Sequence, residues 1–152
     1  MPSGFPKVDK NMYLKEDFYG VKATLEDRVL YLKNYILTVL KISKGTRVIW
    51  NPKNASTTTK FRCEKAKVLE FFDYSGRIAV GPTYSSYYKM FGYHKNRIVK
   101  PIFDFNPYRY EDCFSGIHFY LPSQKRKNAY LIDYIPSKAM KAAWDYIQEL
   151  KK

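Results

Sequence analysis

VKATLEDRVLYLKNYILTVLKI, running from Val21 to Ile42, is the densest apolar run in the chain and can be read in two ways. Leu25, Val29, Leu32, Ile36 and Leu40 recur at helical spacing, and Thr24 with Asp27 has the form of a capping box. Against a helix, Tyr35, Leu37 and Val39 alternate as a strand does, and β-branched and aromatic residues are frequent. The expectation is two strands, over residues 28–35 and 36–42, with a helix over 24–42 as the alternative.

Outward from this run the pattern favours strands. Ser43-Lys44-Gly45 is a turn signal, and residues 46–50 read as a strand that stops before Pro52. Residues 51–60 are polar and read as a surface loop. Residues 62–72 form one strand candidate, with Cys63, Lys65, Lys67 and Leu69 on one face and Ala66, Val68 and Glu70 on the other. A hairpin-type turn over 73–76 leads into residues 77–80. Residues 98–105 read as a strand around Pro101, which suits an edge or a bulge, and 115–121 as a short buried strand. Residues 122–130 have room for one helical turn.

The C-terminus is different. Pro136 and Ser137 open a segment in which Met140, Ala143, Trp144, Ile147 and Leu150 return at three- and four-residue steps, an amphipathic helix expected to pack on the sheet. The expected class is therefore α+β, a mainly antiparallel β-sheet closed by a C-terminal amphipathic helix. Residues 1–12 are expected to form an extended arm and 13–152 a single domain, a size that buries enough surface to need no staple.

Composition bounds the partners. Lys and Arg number 27 against 14 Asp and Glu, a net +13, so the field attracts polyanions: nucleic acid, an anionic surface or an acidic protein. The charge is spread along the chain, as it also would be in a protein that uses lysine only for solubility. No apolar run reaches the roughly 20 residues of a membrane span, and residues 1–7 lack an apolar signal core, so the expectation is no membrane span and no secretion. Two cysteines make no disulfide framework, which points to reduced thiols in a cytoplasmic setting and makes Asn54-Ala55-Ser56 an accidental sequon.

Two further segments, residues 60–70 (KFRCEKAKVLE) and 111–120 (EDCFSGIHFY), together resemble an uncharacterised domain of large DNA viruses and phages. That domain carries a Lys-Cys-Arg-like stretch running into Lys-Ala-Lys-Val-Leu, and later a Cys-Ser-x-Gly-Ile-His-Phe-Phe stretch. It often follows pentapeptide repeats, of which this chain has none. The similarity spans residues 36–130, with Phe103-Asp104-Phe105 matching an acidic-aromatic stretch; the order Arg62-Cys63 is reversed relative to the domain. The resemblance implies a viral origin, in the virion or the host cytoplasm, and no assigned activity.

Residues able to carry chemistry are few. A metal site would have to draw on Cys63, Cys113 and His118, with His94, ligands scattered without a Cys-x-x-Cys pair. Two thiols packing as small hydrophobes are the expected alternative, with no cofactor. A nucleophilic centre would pair Cys113 or Ser115 with His118, but on a strand both lie at odd spacing from His118 and face away from it unless Gly116 introduces a bulge. Binding is better provided for. Tyr84, Tyr87, Tyr88, Tyr93, Lys89, His94, Lys95 and Arg97 interleave rings with cations, as a single-stranded nucleic acid or a protein interface requires. Lys125, Arg126 and Lys127 form a second basic cluster. The expected function is a non-enzymatic structural or accessory protein, a small capsid-associated component binding protein neighbours in a viral assembly. A basic nucleic-acid-binding module and an enzyme centred on His118 are the alternatives.

Overall fold

The two described ends of the decisive run fold as strand, not helix. In the computed structural model, which describes residues 4–26, 35–50, 60–85, 91–101, 105, 116–122 and 137–152, β1 (Phe18–Leu25) and β2 (Tyr35–Ile42) pair antiparallel over their whole length, from Phe18 opposite Ile42 to Leu25 opposite Tyr35. The second expected strand is therefore found, beginning one residue earlier. Residues 28–34 of the first expected strand lie outside the described residues, and the partner of β2 is the segment before them, β1. Thr24 is no helix cap: its hydroxyl donates to the Ile36 carbonyl across the strand pair at 3.0 Å.

β5 (Ala66–Phe72) pairs with the other side of β2, and β8 (Ile98–Val99) covers the start of β5. Beyond β1 lie β6 (Thr83–Tyr84) and β7 (Gly92–Tyr93), giving a six-stranded sheet in the order β7-β6-β1-β2-β5-β8. A smaller sheet is made of β3 (Val48–Ile49), β4 (Phe61–Cys63) and β9 (Ile117–Phe119), with β4 central. The expected single strand over 62–72 is thus two strands in two sheets, broken at Glu64-Lys65. Tyr120 joins the sheets by exchanging two backbone hydrogen bonds with Val21, at 2.8 and 3.0 Å.

Helix α1 (Ser137–Leu150) packs on the outer face of the large sheet, as its periodicity predicts. Ala139, Met140, Ala143 and Ile147 meet Val21, Ala23, Leu37, Val39 and Phe72 there. Trp144 and Leu150 remain exposed, at the flank and the end of the stripe. The opposite face of the sheet, carrying Leu40, Ile42, Val68 and Phe71, packs against Phe61, Cys63, Ile117 and Phe119 of the small sheet. The large sheet is therefore the middle of three layers. That explains why residues 36–40 are buried without interruption: a strand covered on both faces has no polar side.

Burial on both faces forces the middle layer to satisfy its own polar groups. Thr24, Thr38 and Thr83 are fully buried, with hydroxyls 2.9 Å apart between Thr24 and Thr38 and 3.2 Å between Thr38 and Thr83. Thr24 donates to Ile36, so Thr38 must donate to Thr24, and Thr83 to Thr38. Thr38→Val should remove the middle of this chain and cost about 1–3 kcal/mol. The expected reading is a lower urea midpoint with an unchanged slope, and Thr38→Ser should recover most of the loss.

Of the expected N-terminal arm, residues 4–12 are described, and they lie against the body of the domain. Phe5 is buried edge-on to Trp50 and Phe61, with ring centroids 6.0 and 5.2 Å away. Val8 bridges to Leu14 and Tyr13 to Arg47. Phe5 contributes roughly 2–3 kcal/mol of transfer free energy to this docking, which the buried Leu14 and the backbone hydrogen bonds of Met12 and Leu14 to Val48 and Thr46 complete.

Candidate functional site

Pairing of β4 with β9 fixes the relation between the thiol and the imidazole. Cys63 lies opposite Ile117, and Arg62 opposite His118. Directly opposed residues share a face, so Cys63 points into the inter-sheet core while His118 and Arg62 point out of it. A metal bound jointly by Cys63 and His118 is excluded by this geometry. The Cys63 thiol is fully buried and lies 3.6 Å from the Ile117 carbonyl, to which it donates. Burial pushes its pKa up to about 12, against weaker opposing effects from the Lys65 backbone hydrogen bond and the Lys22 charge. It is a small core side chain and a poor nucleophile. Cys113 and Ser115 lie outside the described residues. Among the described residues no three His, Cys, Asp or Glu side chains gather to hold a metal ion.

Two cations that the sequence reading passed over surround this strand pair. Lys22 projects from β1 toward the small sheet, and its ammonium donates to the His118 carbonyl at 3.0 Å. Burial first, and repulsion from Lys60 second, lower its pKa to about 8. Arg62 is 1% exposed and sets its guanidinium over the Phe105 ring at 5.4 Å. Gly116 makes room for that stack. Its φ is +97°, and a Cβ there would stand 3.0 Å from Arg62 Cβ and 3.1 Å from the Phe105 ring. The available signal was a charged residue inside a run of otherwise buried strand positions, Lys22 in VKATL and Arg62 in FRC.

The tyrosine-cation segment is dispersed by the fold. Tyr93 is 2% exposed and, contrary to the expected surface contact, belongs to the inter-sheet core, facing inward opposite Thr83. Tyr84 is half-buried on β6. His94, Lys95 and Arg97 are exposed in the turn between β7 and β8. Lys95 reaches from there to the nearly buried Glu70 carboxylate at 2.9 Å, while the other Glu70 oxygen accepts the Phe71 amide at 3.1 Å. That contact raises the Lys95 pKa, through the hydrogen bond first and the charge second. Tyr87, Tyr88, Lys89, Lys125, Arg126 and Lys127 lie outside the described residues. No stacking platform is assembled from the described ones.

Among the described residues, the most exposed aliphatic side chains lie elsewhere, on the rim of the large sheet beyond β5. Ile78, Val80 and Ile98 are 64%, 93% and 63% exposed, with Lys67, Arg97 and Lys100 exposed around them. A helix-covered two-sheet fold of this kind, with its thiol sealed in the core, defines a β-rich domain. The chain belongs to the family described as "Family of unknown function (DUF5758)", which it matches over residues 10–126. The match begins well before residue 36 and so takes in β1, which the resemblance read from the sequence did not. No curated protein and no solved structure matches the chain.

Proposed function

We propose that this chain is a non-enzymatic accessory protein of a large DNA virus or phage, which binds protein neighbours in the virion or during its assembly. The viral setting is supported by the two segments 60–70 and 111–120. The non-enzymatic reading is supported by one observation above the others: Cys63 and His118 sit on opposite faces of the small sheet, with the thiol sealed in the core. Among the described residues the rim beyond β5 presents cations and β-branched side chains, which suit recognition.

Sedimentation of infected-cell lysates tests this reading. The chain should travel with particles and stay with them after nuclease treatment. A chain that remains at the top of the gradient contradicts it. Release by nuclease favours the nucleic-acid-binding alternative, which the +13 charge supports.

A further inference from the structure

The outer edge of β5 is covered by two separate pieces of chain. β8 pairs antiparallel with its start, Ile98 opposite Lys67 and Val99 opposite Ala66. The return arm of the 73–76 turn pairs antiparallel with its end, where Ile78 bridges Phe72 and the Ala79 amide donates to the Phe71 carbonyl at 2.9 Å. Both pieces therefore run in the same direction. Between them the Arg97 carbonyl accepts from the Val68 amide at 2.9 Å, so the two lie end to end along β5 and form one composite edge.

This edge has a defined polarity and face. The Arg97 carbonyl points toward β5, so strand alternation turns the Ile98 amide outward; the Ala79 amide points toward Phe71, so those of Ile78 and Val80 turn outward as well. Side chains follow the register through β2. Leu37, Val39 and Lys41 share a face and lie opposite Phe72, Glu70 and Lys67, so those three share one face despite the bulge at Leu69. Ile78, opposite Phe72, and Ile98, opposite Lys67, then stand on that same face, as does Val80 by alternation. The edge thus offers outward amides together with an exposed β-branched row, flanked by Lys67, Arg97 and Lys100.

We propose that this composite edge docks an extended acidic segment of a partner protein, which adds to the sheet as a further strand with carboxylates and apolar side chains in alternation. The proposal rests on the binding reading above and names its surface and partner chemistry. Charge selects the occupant. A second copy of this edge would set Lys67, Arg97 and Lys100 against their own kind, which strand pairing disfavours. A nucleic acid would find phosphate contacts but only aliphatic side chains on the row itself, the exposed Tyr74 ring lying in the turn at its end. An acidic strand matches amides, aliphatics and cations together.

Fluorescence anisotropy with a labelled eight-residue peptide alternating Glu and Val is the test. The native chain should bind it, and more weakly as salt rises. N-methylation of every second residue, in one of the two possible phases, should weaken binding at least about tenfold, as should Ile98→Asp or Val80→Asp at an unchanged melting temperature. Amide chemical shifts of the unmutated chain provide a readout independent of any variant, with the largest changes expected at Ile78, Val80 and Ile98. Absence of binding, equal binding of both N-methylated peptides, displacement by an equally charged oligothymidylate, or shifts centred elsewhere would each overturn the proposal. The two readings fail separately: particle association that survives Ile98→Asp removes the edge but not the accessory role, whereas absence of the native chain from particles removes the role itself.

Discussion

Phe119→Ala should be the most damaging single truncation among the described residues, lowering stability by about 3–5 kcal/mol. The ring is fully buried, stacks on Phe61 at 5.4 Å with 20° between planes, and tilts against Phe18 at 5.8 Å. It is the apolar contact that joins β9 to β1 beside the Tyr120–Val21 backbone pair, since Phe18 and Gly20 belong to the large sheet and Phe61 to the small one. Gly20 has no side chain because the ring occupies its place: a Cβ built there would stand 2.5 Å from Phe119 Cδ2. For a domain of this size the expected fall in melting temperature is roughly 10 °C, a large part of a total stability of about 5–15 kcal/mol. The pair also yields a coupling. Gly20→Ala should destabilise the native chain, yet cost little or even stabilise in the Phe119→Ala background, where the added methyl enters vacated space. Additive losses in a double-mutant cycle would contradict this account of the sheet-to-sheet contact.

Lys22→Met should raise stability at pH 7, because the native chain holds a charged ammonium where burial and Lys60 oppose it. Lowering of its pKa from 10.5 to about 8 corresponds to roughly 3 kcal/mol against the charged form. Methionine keeps the stem and loses the hydrogen bond to the His118 carbonyl, worth about 1 kcal/mol, which leaves a gain of about 2 kcal/mol. Between pH 8 and 10.5 the unfolded chain holds the Lys22 proton and the folded chain releases it. Stability of the native chain relative to the variant therefore rises with pH through this window, and the advantage of methionine fades by its upper end. Chemical denaturation of both proteins at pH 7, 9 and 10.5 checks the sign. A variant less stable at pH 7, or a difference flat with pH, would show that the amine is not held in the environment described.

The value of that lysine could not have been read from its neighbours in sequence. Lys22 is one cation in an apolar strand, and only the approach of β9 from 96 residues away brings the His118 carbonyl to it. The same holds for Arg62, whose partner ring at Phe105 and whose neighbour Gly116 are distant along the chain. The segment from Tyr84 to Arg97 shows the converse. As sequence it resembles a binding platform, yet β6 and β7 turn Tyr93 into the core, and Glu70 draws Lys95 to itself. Side chains of one kind were sorted into core, ion pair and surface by which strands became neighbours.

Local patterning determined a good deal by itself. The three- and four-residue apolar steps after Pro136 specify α1 and its buried face, because a helix makes its own hydrogen bonds and needs only one partner surface. The turn at Asp73 is equally local: its carboxylate accepts from the Ser75 and Arg77 amides and the Ser75 hydroxyl, and these bonds hold its pKa below the usual carboxylate value. Tertiary structure alone decided the partner of β2, the division of residues 61–72 between two sheets, the docking of Phe5 and the composite edge beside β5. Strand hydrogen bonds are made with other segments. A residue's pattern can state that it is extended, but the face it buries and the strand it meets are settled only when the layers close.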